Sequence, residues 1–406
     1  MKKLVYLIPL LTVMVACEQA PDMASTSVYP VHLLINLPIS DSVDFQISEA
    51  SLTITDLNMA NTTQWSYDTL HLPVSLDIEL PVGFYNADFM ASMKIDTAVY
   101  TITAYFRNCT VIGEETFEVE ASLDGNSQDF VLAEVFFAGT KTPQGKQYLG
   151  DKYFIIYNNT FDTLYADGIV LLESKLKQTT QIGLNPDFRS KSFTVDAMYR
   201  IPGNGTEVPI APGNCLLIVD NAMDHTVVNS NSFNLLNADY EWYDVSTSAS
   251  ITDVDNPDIP NLDKIYCYTL TIWTPNNQGN TTFALGRLPE ALTAEDYLAQ
   301  YKYTYDYTTT TQAGTFEMSA DTYLFPNEWI IDAVNLCPSQ KFQWLTSPTL
   351  DAGYAYVAAT GSDANRYGKA VRRKIDFMYN NHPVLIDTNN SSNDFEMVTA
   401  DPTYFR

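Results

Sequence analysis

Apolar and polar positions along this chain alternate mostly with the period of a β-strand. Between Tyr29 and Asp129, short apolar runs (VHLLINLPI, SLTITDLN, SLDIELPVGFYNADFMAS, AVYTITAYF, ETFEVEASL) are separated by turn residues. DIEL (Asp77 to Leu80) and FEVEASL (Phe117 to Leu123) largely alternate apolar with polar, as a strand with one buried face does. Pro38, Pro81-Val82-Gly83 and Asp124-Gly125 punctuate the runs. The regular spacing predicts a small antiparallel sandwich.

The densest strand signal follows, from Ala133 to Glu173. Two apolar runs there flank a polar loop, TPQGK, and a third begins after Asp162-Thr163. Gly125-Asn126-Ser127 precedes this stretch and puts a domain boundary near residue 130. Further on, Pro209, Pro212 and Gly213 turn the chain into a strand from Cys215 to Val219. Thr226 to Pro260 reads as a long loop rich in Asn, Ser and Asp, with Trp242 and Tyr243 embedded, and such loops tend to be functional or disordered. IYCYTLTIW (Ile265 to Trp273), TTFALGRL and AGYAYVAA are read as strands. Ala291 to Leu298 is the one convincing helical segment, with Thr293 as N-cap ahead of Glu295-Asp296. No repeat of solenoid or propeller length occurs. The expected fold is mainly β: two immunoglobulin-like β-sandwich domains, 29–130 and 131–406, the second enlarged by long loops and a short helix.

The first residues change the picture from fold to location. Lys2 and Lys3, the apolar run Leu4 to Val15 and Ala16-Cys17 resemble a bacterial lipoprotein signal peptide. The apolar run is about a dozen residues, where a membrane-spanning helix needs roughly 20. The resemblance implies that 1–16 is removed, that Cys17 is lipidated, and that 17–28 is a tether to the folded body. The expected setting is the outer membrane, lipid-anchored and facing the cell exterior.

Charge narrows the partners. With 49 acidic against 22 basic residues, the net charge of −27 repels phosphate backbones and excludes a nucleic-acid binder. Cys109, Cys215, Cys267 and Cys337 stand singly with no CxxC, and are read mostly as buried thiols. His32, His71, His225 and His382 are far apart in sequence, so neither a metal site nor a cofactor is expected.

Three segments of the second domain resemble a lamin-tail-like immunoglobulin fold: EVFFAGT leading to DKYFIIYNNTFDTLYADGIVLLE, then VPIAPGNCLLIVDNA, then WIIDAVNL, VRRK, DTNNSSNDF and ADP. TPQGK, YNN, RYGKAVRRK and DTNNSSNDF together look like an uncharacterised family of Bacteroidota surface lipoproteins encoded beside TonB-dependent transporters. This resemblance implies a TonB-dependent outer-membrane transporter as partner, and it implies no catalytic residue.

Several constellations carry candidate chemistry. Tyr301, Tyr303, Tyr305 and Tyr307 alternate with polar residues, so in a strand their rings line one face. Such a stripe can stack a ligand, and ordinary cross-strand packing gives the same pattern. With Trp242, Tyr243, Lys141 and Lys146 these form the candidate ligand-binding set. Asp253, Asp255, Asp258 and Asp263 make an oxygen-rich loop whose spacing misses the calcium-loop pattern, so a solvated acidic loop is expected. The basic island Arg366, Lys369, Arg372, Arg373 and Lys374 is expected to pair with neighbouring acids rather than grip an anion. Asp-Ser/Thr-apolar tripeptides mark Ser42, Thr69, Thr97 and Thr163 as candidate O-glycosylation sites.

GxSxG, HExxH, P-loop and dinucleotide-binding patterns are all missing, so no enzymatic activity is expected. The resulting expectation is a lipid-anchored surface protein that binds a ligand (small molecule, peptide or glycan) and cooperates with a TonB-dependent transporter. The alternatives are a structural or adhesion module and a hydrolase with an unrecognised carboxylate site.

Overall fold

A computed structural model describes residues 27–406 except 38–44, 58, 60, 71–73, 96–97, 125–128, 161, 312–313, 342–343 and 380–381. The chain is mainly β, consistent with the sandwich class. It divides into two compact units, one of Met1–Leu37, Gln46–Ser92 and Ile102–Ala121, the other of Pro38–Phe45, Met93–Thr101 and Ser122–Arg406. Gly125-Asn126-Ser127, read as the boundary signal, lies outside the described residues.

In the first unit, period-two alternation translates directly into one buried face per sheet. Strand Val28–Asn36 pairs antiparallel with Val74–Pro81 and parallel with Glu115–Glu120. Val31, Leu33 and Ile35 point inward with Val74, Leu76 and Ile78. A second sheet has Thr62–Leu70, Phe45–Asp56, Gly83–Ile95 and Ala98–Val111 in that order. It buries Leu52, Ile54, Phe89 and Ile102 and turns the intervening residues outward.

The second unit is a sandwich of two larger sheets. One has six strands in the order Tyr240–Glu241, Cys215–Val219, Tyr153–Asn158, Phe130–Phe136, Lys369–Arg373, Phe395–Thr399. The other has eight and runs through Ser192–Arg200, Ile169–Ser174 and Thr282–Arg287 to an end strand Ile330–Asn335. Phe154, Ile156, Leu216 and Ile218 of the first meet Leu171, Tyr199, Phe283 and Val334 of the second in one core. The central strands are buried at every position because loops and a helix cover the outer faces as well. Tyr153, Ile155 and Val219 pack under Phe233, Leu235 and Ile259, whereas Val170, Leu172 and Met198 pack around Tyr297.

Tyr297 belongs to helix Ala294–Gln300, where the sequence puts it, and the Thr293 hydroxyl accepts from the Asp296 N–H as N-cap. A second helix, Ser391–Asp394, is too short for periodicity to reveal and is capped by Asn390. Three sequence expectations need correction. Within Ile265 to Trp273, only the end of strand Asp263–Cys267 is extended, because Trp273 turns into the core. AGYAYVAA makes a single bridge, Leu336 to Ala355, and reaches the core through Ala355 and Val357 without forming a strand. The long loop Thr226 to Pro260 is ordered into a cover for the six-stranded sheet and contains the edge strand Tyr240–Glu241.

Alternation breaks once in the Phe130–Phe136 strand. The register against Tyr153–Asn158 passes from Ile155/Glu134 to Ile156/Leu132 and leaves Ala133 as a bulge. Inward positions therefore change from Phe130 and Leu132 to Val135 and Phe137. Glu134 is thereby placed on the outer face, buried, where the Arg372 and Tyr153 side chains and the Asp401 N–H donate to it.

Candidate ligand-binding site

TPQGK forms the turn of a hairpin between strands Thr140–Lys141 and Gln147–Tyr148. Thr142 and Lys146 close it, with the Thr142 N–H donating to the Lys146 carbonyl at 2.8 Å. Gly139 sits at φ +72°, where a Cβ would lie 2.2 Å from the Tyr148 carbonyl oxygen, so glycine alone lets the hairpin fold back on its stem.

The hairpin carries Gln147, Tyr148, Leu149 and Gly150 to one side of a pocket of about 400 Å³. Asn221, Met223 and His225, which follow the Cys215–Val219 strand, form the opposite side, and Val254 of the acid-rich loop completes it. The segment that follows TPQGK and the acid-rich loop thus meet at one concavity on a rigid scaffold, a common seat for binding.

The polar floor has fixed hydrogen-bond roles. His225 is 1% exposed, and its Nε2 lies 2.9 Å from the Asn221 carbonyl, which only accepts, so Nε2 carries the hydrogen. Burial lowers the pKa of His225 and keeps the ring neutral. Its Nδ1 is then an acceptor, and the Tyr148 hydroxyl 2.7 Å away donates to it. The Asn221 amide nitrogen donates to the Gly150 carbonyl at 3.3 Å and to Asp220 at 3.1 Å. Reversing that amide would set its oxygen against the Gly150 carbonyl, which only accepts, so its orientation is determined.

Groups behind the floor hold it in place. Asp151 accepts from the Thr140 and Ser232 hydroxyls, and burial raises its pKa. The Lys152 ammonium donates to the Pro275 carbonyl at 2.8 Å. Burial favours the neutral forms of Lys152 and Asp220 and brings both to about 8, against the pull of their opposite charges. These buried groups support the architecture and do not line the pocket.

The sequence-selected residues are scattered. Trp242 is fully buried beside Phe154 and Trp273, so its ring faces the core instead of solvent. Tyr243, next to it, is half-buried. The tyrosine stripe divides because the chain is still helical up to Gln300. Tyr301 caps the helix, stacks on Tyr297 and meets Trp329. Tyr303, Tyr305 and Tyr307 do share a strand face, where they pack with Leu176, Phe188 and Trp344. Tyr307 also lines a separate pocket of about 480 Å³ with Gly183, Asp306 and Glu317. Lys141 lies 5.2 Å from the centre of the Tyr367 ring, and Lys146 is exposed in the hairpin turn.

The basic island is largely spent internally. Arg373 contacts Asp332, Asp387 and Asp394, Arg372 pairs with Glu134, and Arg366 donates to the Asn277 carbonyl. In the acid-rich loop, Asp253 accepts from the Asp244 N–H, Asp255 from Asn261, and Asp263 pairs with Arg200. Among the described residues no cluster of three or more His, Cys, Asp or Glu side chains could hold a metal ion. Cys215 and Cys267 are thiols. Thr69 and Thr163 are exposed, whereas Cys17, Ser42 and Thr97 lie outside the described residues. The sequence reading missed Tyr148, Asn221 and His225 as a set, and no spacing motif marks them.

No curated protein matches the chain. Its fold is similar to a solved structure, the crystal structure of a DUF4876 family protein from Bacteroides thetaiotaomicron VPI-5482. That likeness has a TM-score of 0.58 at 18% identity and covers 91% of this chain and 94% of that one. Residues 211–402, which contain RYGKAVRRK and DTNNSSNDF but neither TPQGK nor Tyr157-Asn158-Asn159, match the family described as Protein of unknown function (DUF4876).

Proposed function

We propose that the protein is a lipid-anchored binding protein of the outer cell surface that holds a small ligand in the pocket beneath the TPQGK hairpin. In this reading it passes the ligand to a TonB-dependent outer-membrane transporter and catalyses no reaction. The observation that carries the binding role is the pocket itself: loops from two separated parts of the chain converge on a floor whose hydrogen-bond roles are fixed before any ligand arrives. Preorganisation of that kind lowers the cost of ordering on binding. The non-catalytic reading draws on the same geometry, because the buried carboxylates are engaged in structural bonds: Glu173 with Trp273, Asp351 with Ser391 and Glu134 with Arg372. The anchor rests on the leader that ends at Cys17.

Copurification from detergent-solubilised outer membrane tests the assembly. The expected result is a β-barrel partner recovered in stoichiometric amount, and recovery of this chain alone would defeat the transporter role. Turnover of glycan or peptide substrates by the purified protein would defeat the non-catalytic one.

A further inference from the structure

We infer that the pocket recognises a primary ammonium group, with the ligand's apolar body lying against Leu149, Met223 and Val254. The inference rests on the reading of this pocket as a ligand site and adds the chemical class it selects.

The hydrogens of the floor are already committed inward. The Tyr148 hydroxyl hydrogen goes to His225, and the Asn221 amide hydrogens go to Gly150 and Asp220. On these two side chains what remains for a ligand is lone pairs, on the Tyr148 hydroxyl oxygen and on the Asn221 side-chain oxygen, while Gln147 brings an amide that can donate or accept. Two fixed acceptors call for a donor. A carboxylate or phosphate would bring lone pairs against lone pairs, whereas an ammonium brings three N–H groups and makes the stronger, charge-assisted bonds.

Electrostatics favours the same choice. None of the eight lining residues is acidic, and the one basic residue, His225, is held neutral by burial. Asp151, Asp224, Asp253 and Asp255 adjoin lining residues along the chain, and the whole protein carries −27. Lys146, exposed beside Gln147, opposes this field, while the Lys152 ammonium is turned to the Pro275 carbonyl. The balance concentrates cations at the pocket mouth. A hydroxyl would satisfy one acceptor without adding charge, and a trimethylammonium would carry the charge without a hydrogen to donate. Gly150 leaves room for the ligand: a Cβ there would stand 3.3 Å from the Asn221 amide nitrogen.

The test titrates the full-length, detergent-solubilised protein, labelled at its methionine methyls, with butylammonium, butanol, butyrate and butyltrimethylammonium. The Met223 signal is followed by NMR. Butylammonium is expected to give a saturable shift at least about tenfold tighter than butanol, the difference one charge-assisted bond makes, with no saturable shift from butyrate. Tyr148→Phe and Gly150→Val should each weaken butylammonium binding about tenfold or more while the remaining methyl spectrum stays folded. Butanol, butyrate or butyltrimethylammonium binding as tightly as butylammonium would overturn the ammonium assignment and leave the pocket standing as a ligand site. No saturable shift from any probe would overturn both. An unchanged butylammonium affinity in folded Tyr148→Phe would likewise overturn the assignment.

Discussion

Arg373 donates from one guanidinium nitrogen to both carboxylate oxygens of Asp332, at 2.8 and 2.9 Å, across the interior of the second unit. The two residues belong to different sheets, and Asp332 also accepts from the Leu132 N–H at 2.7 Å. Asp387 and Asp394 complete the surround of the same guanidinium. Arg373→Met would leave three carboxylates buried around an apolar side chain. The expected loss is about 3–5 kcal/mol in urea unfolding, against less than about 1 kcal/mol for exposed Lys302→Met, whose partner Asp321 sits in solvent. Equal losses in the two variants would remove the clip from this account.

Glu173 predicts the direction of pH dependence. It is fully buried, accepts from the Trp273 ring N–H, the Asn276 N–H and the Thr281 hydroxyl, and burial pushes its pKa from 4.5 to about 7. Between these values the folded protein binds more protons than the unfolded chain, so stability is highest at the acid side and falls as pH rises through the window. The effect of this one group is about 3 kcal/mol at full swing. The melting temperature should therefore drop from pH 5 to pH 8, and Glu173→Gln should flatten that drop. A slope left unchanged by the substitution would show that other carboxyls set it.

Thr293 predicts a local loss. Removing its cap with Thr293→Ala should destabilise the second unit by about 0.5–2 kcal/mol, and Thr293→Ser should restore most of it. Chemical denaturation of the three proteins decides. The helix matters beyond its length because Tyr297 seals the outer face of the larger sheet.

Gly139 and Gly145 separate two reasons for glycine in one hairpin. Both have positive φ, but a Cβ at Gly139 meets the Tyr148 carbonyl, while a Cβ at Gly145 meets nothing within 4 Å. Gly145→Ala should lose about 1–2 kcal/mol from backbone conformation alone, and Gly139→Ala clearly more. Hydrogen exchange at Tyr148 would register the difference as local opening.

What the sequence disclosed follows from how local each signal is. Val31, Leu33 and Ile35 alternate because one sheet face meets solvent, and the pattern is readable without any partner strand. Thr293 declares a helix start through chemistry three residues wide. Trp242 misled because a polar neighbourhood was taken for exposure, whereas its ring is drawn inward by Phe154 and Trp273, 88 and 31 positions away along the chain. The Tyr301 to Tyr307 stripe has the period of a strand, but its first residue is claimed by a helix end that periodicity cannot place to one residue. The pocket was the least legible part: Tyr148 and His225 meet only after the sandwich has formed, and neither carries a motif.

The bulge at Ala133 also sets where this segment can change over generations. A point substitution at Ala133 alters one side chain, but loss of that codon would restore strict alternation. Glu134 would stay on the outer face opposite Ile155, with Leu132 and Val135 still inward, so Arg372 and Tyr153 would keep their shared acceptor. Ala133 is thus the place in this strand where length can drift without turning a carboxylate inward.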